Sequence, residues 1–261
     1  MEEIKLTPKE LKEAIDTGKY INTGSEGSLF TYKGRVIKMD QRLYNLLKVN
    51  DPLFANDEVI SRYRWERDDF ADRNQLEELS KRQDFIRPRV PEGIITLTGV
   101  NRIIDGVSPG IIIPYFKDYK LFGEISKEEY LRLLILLKKV YDDIRNLADY
   151  EIAHEDLYEY HSTGNHYNIM QKGNDPQIID MSGQLIKVGK DFEGPGKMYI
   201  DFANLINYYN KLYGFEQLYL TDKHITEEKL QIMLNEFEKQ TKNKWYHLLF
   251  FIFIFSPVSR L

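Results

Sequence analysis

The sequence predicts an α+β chain in two parts, strand-rich first and helix-rich second. Three observations predict it. Residues 21–39 break into short β-prone pieces with Gly24, Gly27 and Gly34 at the turns. Ile94–Leu97 and Gly110–Phe116 read as buried strands. Further on, Leu133, Leu137, Val140, Ile144 and Leu147 recur at steps of four and three, the stripe of a helix with one face in a core.

Thr7-Pro8-Lys9-Glu10 reads as a helix start, with a Thr cap, Pro at the first position and Glu three residues after the cap, and Gly18 stops that helix. Residues 56–83 are charged and read as helical. Ser126-Lys127-Glu128-Glu129 is a second capping box, opening the helix that carries the Leu/Val/Ile stripe. A polar loop over 151–168, a short strand ending at Asp180, and helices near 200–212 and 227–241 complete the pattern. The expected division is 1–116 for the N-terminal lobe, 117–241 for the helical lobe and 242–261 for an apolar tail, with the join near 114–120.

Composition narrows the function. Apolar residues make up 42% of the 261, enough for a core. A net charge of −5 argues against a dedicated nucleic-acid binder, which needs clustered Lys and Arg to neutralise phosphates. The absence of cysteine removes disulfides, zinc–thiolate sites and thiol nucleophiles together. The acidic start MEEIKLTPKE lacks the apolar core of a secretory signal, so a cytoplasmic protein is the expectation.

Two clusters carry chemistry. In Gly24-Ser25-Glu26-Gly27-Ser28-Leu29-Phe30, two glycines three apart let backbone N–H groups approach a polyphosphate with no Cβ in the way. The strand Arg35-Val36-Ile37-Lys38-Met39 then aims Lys38 to the side opposite Ile37, back under that loop. The second cluster is His154-Glu155-Asp156-Leu157, Asn168-Ile169-Met170 and Ile178-Ile179-Asp180-Met181-Ser182-Gly183. Metal–phosphate chemistry needs a carboxylate and a second oxygen ligand for magnesium, and a carboxylate that can orient an attacking hydroxyl. Asp180, Asn168 and Asp156 supply that set.

With these motifs in place, the chain from about Ile21 to about Leu205 resembles the protein-kinase-like family, including its small bacterial members and the antibiotic and choline kinases. The resemblance implies a two-lobed fold binding ATP and Mg2+. Gly24, Ser25 and Gly27 match the second half of a glycine-rich loop, and Val36-Ile37-Lys38 the strand-three lysine that pairs the α/β-phosphates. Pro114, Tyr115 and Phe116 match the hinge that holds adenine. Asp156 matches the catalytic base, Asn168 and Asp180 the magnesium ligands, and Asp201 the buried aspartate that braces the catalytic loop.

The sequence also departs from the family pattern. Asn22 replaces the first loop glycine, and Asp156 and Asn168 lie twelve apart instead of five, which brings Asn165 into competition for the metal. Met181-Ser182-Gly183 replaces Phe-Gly, and there is no A-P-E triplet. The acidic partner of Lys38 is open among Glu66, Asp72, Glu77 and Glu78, with Glu77 favoured because Leu76 and Leu79 adjoin it. The acceptor expected is a Ser or Thr of a protein substrate. A small-molecule kinase and a pseudokinase binding nucleotide or a partner are the alternatives. For His154, His161 and His166 a metal role is the lesser reading, since the neighbouring acids suit magnesium better than zinc.

The tail, Trp245 to Phe255, is almost wholly apolar and is short of the ~20 residues a spanning helix needs. A final buried element, an interfacial membrane anchor and an altered reading frame all stay open. Docking on the helical lobe is expected over membrane contact.

Overall fold

The computed structural model describes residues 1–23, 27–48, 73–98, 110–126, 129–160, 165–183, 185–215 and 225–255. Its elements in chain order are β1 (Glu2–Leu6), α1 (Pro8–Thr17), β2 (Tyr20–Thr23), β3 (Gly27–Tyr32), β4 (Arg35–Asp40), α2 (Gln41–Lys48), α3 (Arg73–Arg82), β5 (Gly93–Leu97) and β6 (Gly110–Ile113). There follow β7 (Lys120–Leu121), α4 (Tyr130–Asp149), β8 (Ile152–His154), β9 (Tyr158–Glu159), β10 (His166–Tyr167), β11 (Ile169–Lys172) and β12 (Asp175–Ile178). The last are β13 (Ile186–Val188), α5 (Gly196–Tyr213) and α6 (Glu227–Phe255). The chain is thus mixed α and β, with its six-stranded sheet early, shorter strands after it and its long helices late.

It divides into two compact units. The first takes Met1–Lys117 and takes back two later pieces, Tyr150–Ile152 and Ile179–Glu193. The second takes Asp118–Asp149, Ala153–Ile178 and Gly194–Leu261. A single cut at residue 116 therefore does not separate them, because the segment carrying Asp180 belongs with the N-terminal unit.

In the first unit a six-stranded sheet runs β1-β5-β6-β4-β3-β2, antiparallel except that β1 lies parallel to β5. Alternation sorts its faces. Phe30 on β3 faces Ile37 on β4, and Ile37 faces Ile112 on β6, each fully buried. Leu11, Ala14 and Ile15 of α1 and Leu43 and Tyr44 of α2 join this row in one core. Each large side chain so buried contributes about 1.5–3 kcal/mol of transfer free energy.

The sequence signals for α1 are realised: Thr7 accepts from the Glu10 backbone N–H, Glu10 accepts from the Thr7 N–H, Pro8 opens the helix and Gly18 caps it. Asp40 accepts from the Leu43 N–H at 2.9 Å and so starts α2. Strand β6 stops at Ile113 rather than Phe116, where Pro114 has no N–H to donate. Of the charged stretch 56–83, residues 73–82 form α3, and 51–72 lie outside the described residues.

The second unit is helical around the β11–β12 hairpin. All five stripe residues of α4 are fully buried. Ser126 donates its N–H to Glu129 Oε2 at 3.1 Å, one arm of the expected capping box, and α4 begins at Tyr130. Helix α5 adds Met198, Phe202, Leu205, Ile206 and Tyr209, and α6 adds Leu230 and Phe237.

The last helix does not end near 241 but runs to Phe255, because no Gly or Pro interrupts it before Pro257. The side chains of Tyr246–Phe255 lie outside the described residues. No described helix is long and apolar enough to cross a membrane. At the near end of this stretch, Lys244 donates to the Tyr213 carbonyl at 3.0 Å, an orphan acceptor at the end of α5. Its ammonium sits 5.4 Å from the centroid of Phe215. A chain ending at Thr241 loses these contacts, and its thermal midpoint should fall by ~2–4 °C for each kcal/mol removed. Lys244→Ala should reproduce part of that fall in a melting experiment; unchanged midpoints in both would show that Lys244 and everything after it are dispensable to the fold.

Candidate functional site

Lys38 is the first site residue that strand geometry positions. Its neighbour Ile37 is buried in the core, so Lys38 emerges on the opposite face of β4. Gly27 opens β3 directly over it. A Cβ at Gly27 would stand 2.8 Å from the Met39 carbonyl oxygen and 3.1 Å from Lys38 Cγ, so only glycine lets the two strands approach there. Gly24 and Ser25 lie outside the described residues.

The Lys38 ammonium pairs with Asp180 Oδ1 across a sequence separation of 142. Both belong to the first unit. Asp180 has φ 60, in the left-handed region that Asp tolerates better than most side chains. The Ser182 N–H bonds back to the Asp180 carbonyl at 2.8 Å, and Gly183 follows with φ 85. Gln75 on α3 reaches this segment, donating to the carbonyls of Gly183 at 3.0 Å and Ile186 at 2.6 Å.

Glu77 does not take the partnership proposed for it. Its carboxylate accepts from Arg73 Nε at 3.2 Å, one turn back on α3, while Glu78 is held by Lys81 and Arg82, which lower its pKa to about 2. Leu76 and Leu79 are indeed buried, but the glutamate beside them answers to its own helix. Glu66 and Asp72 lie outside the described residues. Of the hinge triplet, Pro114 is buried, Phe116 half-buried and Tyr115 61% exposed.

The second unit holds the other group. The Asn168 Nδ2 donates to the Asp156 carbonyl at 2.6 Å and to its Oδ2 at 3.1 Å. Two acceptors on one side oblige the amide to turn its nitrogen to them, which leaves Oδ1, a good magnesium ligand, with no partner among the described residues. Asp180 Oδ2 is likewise unclaimed there. Each, within its own unit, is an oxygen of the kind that suits magnesium, an ion bound through one or two protein oxygens plus phosphate rather than by a full protein cage. Among the described residues no group of three His, Asp or Glu side chains could hold a metal by itself. His161 lies outside them.

Asn165 is engaged otherwise, its Nδ2 donating to the Tyr167 hydroxyl at 3.1 Å. Asn168→Ala should accordingly cost far more magnesium-dependent nucleotide binding than Asn165→Ala. Equal losses in a titration of both variants would reverse the assignment.

His166 Nε2 lies 3.3 Å from Asp156 Oδ2, a contact that the sequence motifs do not contain. The signal for it is spacing: two residues apart on extended chain, His166 and Asn168 point the same way. Burial pushes the Asp156 carboxyl up, but the hydrogen bond and charge of His166, with His154 and Lys197, outweigh it and hold the carboxyl below its usual range.

Beneath, Asp201 is 1% exposed and accepts from the Leu157 N–H at 3.0 Å, so it braces the chain directly after Asp156. Burial raises its pKa, and an ion pair with Lys197 opposes the rise.

No protein-family model matches the chain, and no curated protein matches it either.

Proposed function

We propose that the chain is an ATP- and magnesium-dependent phosphotransferase with a two-lobed, protein-kinase-like fold, acting on a serine or threonine hydroxyl of a protein. The observation that carries this reading is the Lys38–Asp180 pair. Two residues chosen for phosphate and metal chemistry, 142 positions apart, meet. Lys38 also stands on the third strand of the β2-β3-β4 meander, after the glycine turn, where such enzymes carry their phosphate-binding lysine.

In this reading Lys38 holds the α/β-phosphates, Asp180 and Asn168 hold magnesium, and Asp156 takes the proton of the acceptor. Pro114, Tyr115 and Phe116 would receive the adenine. Magnesium, when bound, neutralises charge on the phosphate oxygens. Asp156 has its carboxylate ionised and oriented by Asn168, ready to accept a proton.

A small-molecule acceptor has one observation in its favour. Among the described residues of 181–195 the regular structure is β13 and one turn of 3-10 helix, a short platform for a peptide. Labelled ATP separates the readings. Label on the protein itself, dependent on magnesium, supports a protein kinase, and label only on an added aminoglycoside or choline supports the small-molecule reading. Failure to bind magnesium–ATP at all would end both.

A further inference from the structure

We propose that His166 is a positioning residue for phosphoryl transfer: it fixes the Asp156 carboxylate so that Oδ1 is the oxygen left to take the acceptor proton. The inference rests on the phosphotransferase reading above, and concerns residues that lie between Asp156 and Asn168, where this chain has seven more than the family spacing.

Those extra residues are not slack where they are described. Strands β9 and β10 pair antiparallel, His166 opposite Glu159 and Tyr167 opposite Tyr158. Tyr158 is buried, and its ring lies 5.3 Å from that of Tyr167 and 6.1 Å from that of Tyr208 on α5. This aromatic anchor holds β10, and β10 delivers His166 to the carboxylate. From there the chain passes to Asn168, whose N–H bonds the Leu157 carbonyl at 3.1 Å. His166 and Asn168 thus meet Asp156 at the same atom: His166 Nε2 lies 3.3 Å from Oδ2, and Asn168 Nδ2 donates to it at 3.1 Å.

A carboxylate held by one donor can rotate about its last torsion and exchange its oxygens. The Asn168 hydrogen bond and the close His166 ring together on Oδ2 suppress that rotation and leave Oδ1 with no donor among the described residues. The side chains of Asp156 and His166 are 26% and 46% exposed, open enough for an acceptor to approach. In the transfer step the acceptor O–H bond breaks and its proton goes to Oδ1. The acceptor oxygen forms its bond to the terminal phosphorus as the bond from that phosphorus to the bridging oxygen breaks, and the electron pair leaves with ADP. Holding Oδ1 in place beforehand is the kind of orientation whose loss, by about 1 Å, costs up to ~10²-fold in rate.

The test is magnesium–ATP hydrolysis by the full chain with water as acceptor, comparing wild type, His166→Phe, which keeps a ring without a donor, and His166→Gln, which keeps a donor. We expect His166→Phe to lower kcat about 10–100-fold with KM for magnesium–ATP within about twofold, and His166→Gln to recover most of kcat. Equal kcat in wild type and His166→Phe overturns the proposal. So does His166→Gln no better than His166→Phe, or a parallel change in kcat and KM, since either marks packing instead of positioning. A wild-type chain that binds magnesium–ATP without hydrolysing it overturns this inference alone, whereas one that does not bind magnesium–ATP removes the phosphotransferase reading and this inference with it.

Discussion

Asp180→Asn should abolish magnesium-dependent transfer and weaken magnesium–ATP binding while leaving the fold standing. The substitution keeps shape and removes only charge. Asparagine, like aspartate, accepts the left-handed backbone at φ 60, so the turn through Ser182 and Gly183 should persist. What is lost is the anionic oxygen proposed to hold magnesium, together with the ion pair to Lys38. That pair is half-buried, its side chains 12% and 27% exposed, so it is less screened than a surface pair. Alanine would be a poorer probe, because it adds backbone strain at a positive φ to the loss of the ligand. Calorimetric titration with ATP, with and without magnesium, reads the effect, and a circular dichroism melt checks the fold. Unchanged magnesium-dependent affinity and activity would show that Asp180 is no ligand.

Asp156→Asn should behave differently. Turnover should fall by ~10²–10⁴, the range for loss of a positioned general base, with ATP affinity nearly intact. The asparagine oxygen can still accept from Asn168, so that local hydrogen bond survives. Only proton acceptance is lost. If affinity and turnover fall together, Asp156 is a structural or metal-binding group, and the roles assigned to this loop are wrong. Running both variants in one assay separates ligand from base by the split between binding and rate.

Much of the scaffold could be read in the sequence because its signals are local. Thr7, Pro8 and Glu10 cap α1 through contacts three residues apart, and the α4 stripe needs only helical periodicity to be recognised. The candidate residues were legible as types in order: Lys38 opposite Ile37, Asn168 beside Asp156, Asp201 below it. What escaped depends on distance in sequence. Strand β1 has no turn signal of its own and exists by lying parallel to β5, some ninety residues later. Strands β9 and β10, two residues each, form inside a stretch read as loop, and their aromatic packing against α5 holds them there. The choice of Glu77 failed for a related reason. Adjacency to Leu76 and Leu79 fixes the helix face, but Arg73, four residues away, claims the carboxylate at little entropic cost.

The first unit's piecemeal composition has a consequence for how the protein is made. Its strands through β6 leave the ribosome early, but Ile179–Glu193 are still unsynthesised at that point. Asp180 follows Lys38 by 142 positions, which at ~5–20 residues per second take roughly 7–28 s to translate. Over that interval the nascent sheet carries Lys38 without its aspartate, and Gln75 without the carbonyls of Gly183 and Ile186. Co-translational folding of this unit is thus a two-stage event. A ribosome stalled before residue 179 should present a nascent sheet more open to protease than one stalled after residue 193 and its exit-tunnel allowance.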